Sequence, residues 1–222
     1  MWAQKEYVPF AVEGKTWHCV QTKNIFEQTP VYEYDVFIQG DTVIKGKPCK
    51  KVYVNTVAQY KAALYEDGRR VYSVDKGTEE FWLLYDFNVT VGDTLCYGIN
   101  EWDMYEVYLD EIVVIEGVPL RKIAFCSEEW GEGAYIESLG GLGDPLARPI
   151  VLLGNTPYLE RCTLNGTILY QFHGNTDKVN SITNMLPSTI YYNLQGQKQK
   201  QLRKGVNIIR KDDGTTRKVL IK

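Results

Sequence analysis

The sequence predicts an all-β protein with an antiparallel β-sandwich or barrel body and a short C-terminal β unit. Sixteen Tyr, seven Phe and five Trp among 222 residues favour pleated, half-buried surfaces. Turn-forming pairs separate short apolar segments along most of the chain. Apolar residues nowhere keep a helical spacing over several turns, so long helices are not expected.

Asn165-Gly166 is the clearest turn signal. It lies between the apolar segments 159–164 and 167–172, and it suits the positive φ angles of a two-residue type I′ turn. These segments therefore predict a β-hairpin. Residues 81–87 and 107–115 predict further strands by their composition.

Asp67-Gly68 predicts a second hairpin of the same kind. With these two residues at the turn, Glu66 would lie opposite Arg69, and Leu64 would lie opposite Val71.

Two segments of the chain are similar to each other. Residues 41–54 (DTVIKGKPCKKVYV) and 112–125 (IVVIEGVPLRKIAF) align without gaps at a separation of 71, with five of fourteen positions identical. Each copy predicts an apolar strand, a turn formed by x-Gly, and a proline early in the return strand, where no ladder donor is lost. Convergence of two independent hairpins explains this pattern, and an internal duplication around 41–54 and 112–125 is the alternative.

The chain divides into four parts by composition. Residues 1–3 resemble the end of a secretory signal cleaved after Ala3, the alternative being an ordinary start. Residues 4–172 form the predicted β body, and the polar residues 173–188 predict a linker. Residues 189–222 resume strand patterning but are too few to hold a core alone.

Charge separates the tail from the body. Residues 198–222 hold nine Lys or Arg and two Asp or Glu, whereas residues 1–197 carry a net charge of −10. The opposite charges favour docking of the basic tail on the acidic body. We do not expect the tail to bind nucleic acid. No apolar run approaches the ~20 residues that span a bilayer, so a membrane-spanning protein is not expected either.

The tail carries three motifs in a fixed order. YYNLQGQ at 191–197 is followed by KGVNIIR at 204–210 and by KVLIK at 218–222. Together they resemble the C-terminal tails of exported Bacteroidetes proteins and are similar to type IX (Por) secretion sorting domains. The resemblance implies that residues 189–222 contact a secretion machinery.

The body resembles a group of exported, uncharacterised Bacteroidetes proteins. The shared segments are EGKTW at 13–17, GDTVIKGK at 40–47, EDGRRVY at 66–72 and LLYDFNVTVGDT at 83–94. The resemblance implies an extracytoplasmic location, which means the periplasm, the cell surface or the medium. It implies no activity and no cofactor.

One acidic and aromatic segment, residues 127–144 (SEEWGEGAYIESLGGLGD), is the best candidate for a site. Paired carboxylates beside aromatic rings are what glycoside hydrolysis and sugar binding use, although a solvated acidic loop has the same composition. The catalytic candidates are Glu128, Glu129, Glu132 and Glu137. The ligand-binding candidates are Trp130, Tyr135 and Asp144.

Other chemistry finds little support. The two histidines, His18 and His173, lack zinc-ligand spacing, and the five cysteines contain no CxxC pair, so neither a metal nor a cofactor is expected. Thr42 and Thr94 follow aspartate and precede an aliphatic residue, which resembles the acceptor of Bacteroidetes O-glycosylation and is also ordinary turn chemistry.

These observations favour a secreted or cell-surface β protein with a binding or structural role over an enzyme. The alternative is a carbohydrate-active hydrolase or glycan-binding module that uses residues 127–144.

Overall fold

The computed structural model is all-β, as the composition predicts. It describes residues 7–22, 30–58, 60–97, 104–127, 131–149, 157–172, 190–199, 205–210 and 216–221. Of these residues 66% lie in strands and none in a helix. The predicted linker, the first three residues and His173 lie outside the described residues.

Sixteen strands follow one another along the described chain. They are β1 (Lys15–Thr22), β2 (Pro30–Ile44), β3 (Lys47–Val54), β4 (Ala62–Asp67), β5 (Arg70–Asp75), β6 (Phe81–Asp86), β7 (Thr94–Cys96), β8 (Met104–Ile115), β9 (Val118–Ser127), β10 (Gly131–Ile136), β11 (Tyr158–Leu164), β12 (Thr167–Gln171), β13 (Ile190–Tyr192), β14 (Lys198–Gln199), β15 (Gly205–Arg210) and β16 (Thr216–Ile221).

The strands form three antiparallel sheets. The first sheet has eight strands in the order β12-β11-β1-β2-β3-β4-β5-β6, and the second has the order β10-β9-β8-β7. The C-terminal unit is a third sheet in the order β14-β13-β15-β16. In the first sheet β12 and β6 are the edges of the described part, so this sheet stays open.

The first two sheets share one apolar core, an arrangement that a β-sandwich and a half-barrel have in common. Trp17, Val36 and Leu64 of the first sheet pack in the same buried cluster as Tyr105 and Phe125 of the second. Each of these side chains is at most 1% exposed. Alternation along each strand turns these residues inward and leaves their neighbours to the outer faces.

The C-terminal sheet buries a polar residue and leaves an apolar one exposed. If the tail packs on the body, its alternating apolar residues should be covered, yet Leu194 is 58% exposed and Asn207 is 1% exposed. The Asn207 side-chain amide donates to the carbonyl of Gly205 at 3.0 Å, which satisfies part of its hydrogen-bonding capacity inside the sheet. Leu194 follows the end of β13 and lies in a turn.

The Asn165-Gly166 hairpin is confirmed. Asn165 has φ 49° and Gly166 φ 81°, and Leu164 pairs directly with Thr167. Two consecutive positive φ angles are what a type I′ turn requires.

The predicted turn of the Asp67-Gly68 hairpin is wrong by one residue, which shifts every pairing partner in the hairpin by two. The turn lies at Gly68-Arg69, so Asp67 pairs with Arg70, and Leu64 pairs with Ser73. Both registers keep Leu64 and Val71 on the core face, so the hydrophobic pattern does not distinguish them. A contact outside the hairpin favours the observed one, since the Arg69 carbonyl accepts the Phe87 amide at 2.9 Å.

Both copies of the sequence repeat fold as hairpins. Residues 41–54 lie in β2–β3 of the first sheet and residues 112–125 in β8–β9 of the second. Each copy has an x-Gly turn with two positive φ angles and a one-residue irregularity in its long first strand. The two sheets also share the strand orders β1-β2-β3-β4 and β7-β8-β9-β10. A common origin stays a prediction.

Candidate functional site

The acidic and aromatic segment is described only in part. Glu128, Glu129 and Trp130 lie outside the described residues. Glu132 lies on β10 directly opposite Cys126 of β9 and is partly exposed. Of the four catalytic candidates, Glu132 and Glu137 are the two that the structure describes.

Glu137 and Tyr135 face the interior. Glu137 is 6% exposed, and its two carboxylate oxygens accept the backbone amides of Val8 at 2.7 Å and Arg121 at 3.2 Å. Tyr135 is 0% exposed and its hydroxyl donates to the Asp86 carbonyl at 2.5 Å. Both side chains join segments that are distant in sequence.

Asp144 holds a turn together. Its carboxylate accepts the Leu146 amide at 2.8 Å and the Tyr34 hydroxyl at 2.9 Å. Burial, together with the Asp144 charge, raises the pKa of Tyr34, so this hydroxyl stays a donor at neutral pH. Asp144 thereby ties the loop after β10 to β2.

The glycines before Asp144 serve close packing. Gly140 has φ 82°, and a Cβ placed there would lie 2.7 Å from the Phe10 ring and from the Tyr85 hydroxyl. The Gly141 amide donates to that same hydroxyl at 3.1 Å. The backbone of this segment therefore lies directly against aromatic side chains of the core, which only glycine permits.

A buried lysine is the main feature that the sequence analysis missed. Lys15 is 0% exposed, and its Nζ lies 2.8–3.0 Å from the carbonyls of Pro9, Phe10 and Ser138 and from the Ser138 hydroxyl. Burial lowers the pKa of Lys15 to about 8. One signal was available, because Lys15 alternates with the inward-facing Trp17 and Cys19 along β1.

Through Pro9 and Phe10, Lys15 binds the middle of a segment that we call the N-terminal strap, residues 7–14. Glu66 holds the same segment, since its carboxylate accepts the Tyr7 hydroxyl at 2.5 Å and the amides of Phe10 at 3.1 Å and Ala11 at 2.8 Å. Glu137 adds the Val8 amide. Burial and the neighbouring Glu66 raise the pKa of Tyr7.

The two strap-binding glutamates keep the spacing of the two similar segments, although both lie outside them. Glu66 and Glu137 are 71 residues apart, the same separation that aligns residues 41–54 with 112–125. Glu66 is the second-to-last residue of β4, and Glu137 directly follows the last residue of β10. The strap is thus held by one carboxylate from the first sheet and one that follows β10 of the second.

His18 lies in an acidic environment that spans three strands. Its Nδ1 is 2.8 Å from Asp35, and its Nε2 is 3.5 Å from Glu160 and 3.8 Å from Glu33. Over the described part of the chain, no group of three or more His, Cys, Asp or Glu side chains has the arrangement of a metal site. These contacts join β1 to its two neighbours, β2 and β11.

The outer face of the first sheet carries lysines over aromatic rings. Lys47 Nζ lies 4.6 Å from the Tyr65 ring centre and 4.8 Å from that of Phe81. Lys76 Nζ lies 4.7 Å above Tyr60. Such contacts cover apolar surface with charge, which lets this face meet water.

The two threonines predicted for O-glycosylation differ in their surroundings. Thr94 is exposed at the first residue of β7, next to the Gly92 turn. Thr42 is half-buried within β2, opposite Cys49, because β2 continues past Gly40 to Ile44 instead of turning at the Gly-Asp-Thr sequence.

The chain matches no protein-family model, and neither curated proteins nor solved structures show a significant match to it. Among the described residues there is no helix with the length and apolar character needed to cross a membrane.

Proposed function

We propose that this chain is an exported protein, located in the periplasm, at the cell surface or in the medium, with a binding or structural role. One observation carries the proposal. The ionisable side chains where the strap meets the body, Lys15, Glu66 and Glu137, bind mainly backbone groups of the strap, which is a structural use of their charge.

Glu137, between the strap and β9, is not placed to act as a catalytic acid. A general acid must reach both the substrate and solvent, and it must be free to exchange its proton. Glu137 is 6% exposed, and each of its oxygens accepts a backbone amide. Its geometry is that of a fixed acceptor which joins the strap to β9.

Arg121 follows the same pattern. Its guanidinium makes two hydrogen bonds to the Asp110 carboxylate, at 2.7 and 2.8 Å, and donates to the carbonyls of Phe87 and Val89. The fork geometry of arginine suits this combination of one carboxylate and two carbonyls. Arg121 thereby ties the loop after β6 to the second sheet.

Export is supported by the tail. Its motifs resemble type IX sorting domains, and the described residues between 190 and 221 form four short antiparallel strands. A separate β unit at the C-terminus is a suitable form for a segment that a secretion machinery recognises.

The experiment has two parts, both on the full chain. Fractionation of a Bacteroidetes host, with protease added to intact cells, should find the protein outside the cytoplasm. The purified protein, tested on a glycan array and on a panel of polysaccharides, should release no sugar product.

A hydrolytic activity would contradict the proposal and favour the alternative. If that activity were lost in Glu132→Gln and kept in the matched surface variant Glu80→Gln, the segment 127–144 would be a catalytic site. Retention of the protein in the cytoplasm would contradict the export half alone.

A further inference from the structure

The core-facing side of β2 carries a row of side chains that leaves the core near the start of the strand. Ile38 and Val36 are at most 1% exposed, and Tyr34 is half-buried against the same cluster. Tyr32 comes next on this side, because side chains two apart share a face, and it is 51% exposed. The row therefore ends in an aromatic ring at the surface of the body.

Tyr32 and Tyr34 form a stacked pair. Their ring centres are 5.5 Å apart, and their planes differ by 19°. Tyr34 thus supports one side of the Tyr32 ring and joins it to the core. Since Tyr32 stays 51% exposed in this stack, its ring presents apolar surface to solvent.

Hydrogen bonds fix both rings of the pair. The Asn55 side-chain amide donates to the Tyr32 hydroxyl at 2.9 Å, and the Tyr34 hydroxyl donates to the Asp144 carboxylate at 2.9 Å. Asn55 is fixed in turn, because its side-chain oxygen accepts the Asp35 amide at 2.8 Å. The rings are oriented before any ligand arrives, so binding costs little conformational entropy.

The polar atoms around this pair keep hydrogen-bonding capacity. The Tyr32 hydroxyl accepts from Asn55, and no acceptor for its own hydrogen lies among the described residues. The Asn55 amide has a second N–H, and each oxygen of Asp144, which accepts one hydrogen bond, has a further lone pair. Donors and acceptors therefore surround an exposed apolar ring.

A sugar ring matches this combination of groups. It carries C–H groups on its faces and hydroxyls around its edge. Stacking on Tyr32 would remove apolar surface of both partners from water, while the hydroxyls of the sugar would reach Asn55 and Asp144. Small binding sites typically combine an aromatic surface with a few fixed polar groups in this way.

The size of the exposed surface disfavours a protein partner. A stable protein interface uses about 20–30 residues a side. Here the described part of the chain exposes three large apolar side chains, which are Tyr32, its neighbour Val31 and, two residues after Asn55, Val57. Three such side chains suit a small ligand better than a second protein.

Charge selects among sugars. The Asp144 carboxylate lies at the stacked pair, and residues 1–197 carry a net charge of −10. A sugar with a carboxylate or sulfate group would bring like charges together, which opposes binding. The arrangement therefore fits an uncharged sugar.

We propose that Tyr32, Asn55 and Asp144 form a subsite for one uncharged sugar ring of a glycan, stacked on Tyr32. The inference rests on the proposed binding role and names its ligand class. Of the three ligand-binding candidates in the sequence it uses Asp144, whereas Tyr135 is buried and Trp130 lies outside the described residues. Failure of glycan binding would leave the export and hydrolysis results unaffected.

The test is isothermal titration of the full chain with uncharged oligosaccharides. The probes are cellohexaose, laminarihexaose, xylohexaose and mannohexaose, with hexagalacturonate as the acidic comparison. At least one uncharged probe should bind, and its affinity should change little with added salt, because the contact pairs no charges. Absence of binding by all four uncharged probes would overturn the proposal, and so would a preference for hexagalacturonate.

Variants of the stacked pair locate the subsite. Tyr32→Ala should weaken binding by about tenfold or more, because the ring is lost. Tyr32→Phe keeps the ring and should lose less affinity than Tyr32→Ala. Asn55→Gly suits the positive φ of 60° at this position, and it should weaken binding because the Tyr32 hydroxyl then lacks its donor. Wild-type affinity in folded Tyr32→Ala would overturn the proposal.

Tyr53→Ala is the matched control. Tyr53 stacks on Phe37 at 5.5 Å and 15°, on the opposite face of the same sheet, so this variant should bind like the wild type. Loss of binding in Tyr53→Ala but not in Tyr32→Ala would place the sugar on that other face and contradict the assignment. If Tyr32→Ala melts at a lower temperature, Tyr32→Leu replaces it, and unchanged binding in this folded variant would be equally decisive against the subsite.

Discussion

At the scale of single residues, Lys15 is the side chain whose position is most costly and most fully compensated. Its ammonium group is removed from water, yet three carbonyls and one hydroxyl surround it. Phe10 and Trp17 place their rings 5.6 and 5.7 Å from the same Nζ. Loss of any of these partners would leave the buried ammonium group short of an acceptor, which would cost stability.

The pH dependence of stability follows from this burial. The pKa of Lys15 is about 8 in the folded chain, against an ordinary value of 10.5. Between these values the unfolded chain binds a proton that the native chain has released, so the free energy of unfolding should rise with pH across this window. The gain should approach about 3 kcal/mol, at about 1.4 kcal/mol per pKa unit.

The measurement is urea denaturation of the wild type and of Lys15→Met at pH 7.5 and pH 10. The variant lacks the titrating group, so the stability difference between the two proteins should change with pH. Lys50→Met, at a more exposed lysine paired with Asp41, is the matched control. Parallel pH profiles for the wild type and Lys15→Met would show that the lysine titrates normally.

Glu66 supports a second prediction, on the attachment of the strap. Glu66→Ala removes the acceptor for the Tyr7 hydroxyl and for the amides of Phe10 and Ala11. The free energy of unfolding should fall by about 2–3 kcal/mol, because buried donors then lack a partner. Amide hydrogen exchange should become faster at Phe10 and Ala11. The exposed Glu80→Ala should change neither quantity, and unchanged exchange in Glu66→Ala would contradict the role of the carboxylate.

At the scale of the elements, the tight turns and the glycine-rich segment use glycine for different reasons. Gly68 needs its positive φ of 53° for a two-residue turn, and no atom lies near the position of a Cβ. Gly140 needs both its φ of 82° and the space, because aromatic atoms lie 2.7 Å from the same position. A side chain would therefore meet backbone strain at both positions, and a steric clash only at Gly140.

Alanine substitution separates these two effects. Gly68→Ala should cost about 1 kcal/mol of stability through backbone strain alone. Gly140→Ala should cost about 3 kcal/mol or more, since Phe10 and Tyr85 must also move. Thermal melting of the two variants under identical conditions provides the comparison, and equal losses would mean that the loop relaxes without disturbing the core.

At the scale of the whole molecule, deletion of the C-terminal unit tests whether export and stability of the body depend on that unit. A chain that ends at Ser188 lacks the basic segment and all four strands of the third sheet. Residues 189–222 are too few for an independent core, so we expect this variant to be exported poorly and to melt at a lower temperature than the full chain. Cell fractionation and calorimetry measure the two effects. A truncated chain that is secreted normally, with an unchanged melting temperature, would contradict both.

The sequence by itself determined the features that depend on neighbouring residues. Strand content, the Asn165-Gly166 turn and the two x-Gly hairpins of the repeat follow from alternation and from local φ preferences. These rules act over a few residues, so they can be applied without knowing what else the chain contacts. The segment at 127–144 shows their limit, because its glycines and Glu137 suggested a ligand site by composition alone.

Only the tertiary structure decided what those residues contact. The register at Gly68-Arg69, the burial of Lys15 against Ser138, and the two carboxylates on the strap all depend on groups far apart in sequence. Lys15 and Ser138 are 123 residues apart, and Val8 and Glu137 are 129 apart. Such contacts form only when both sheets pack on one core. For this reason the sequence suggested Glu137 as a catalytic acid, whereas in the fold its carboxylate accepts backbone amides.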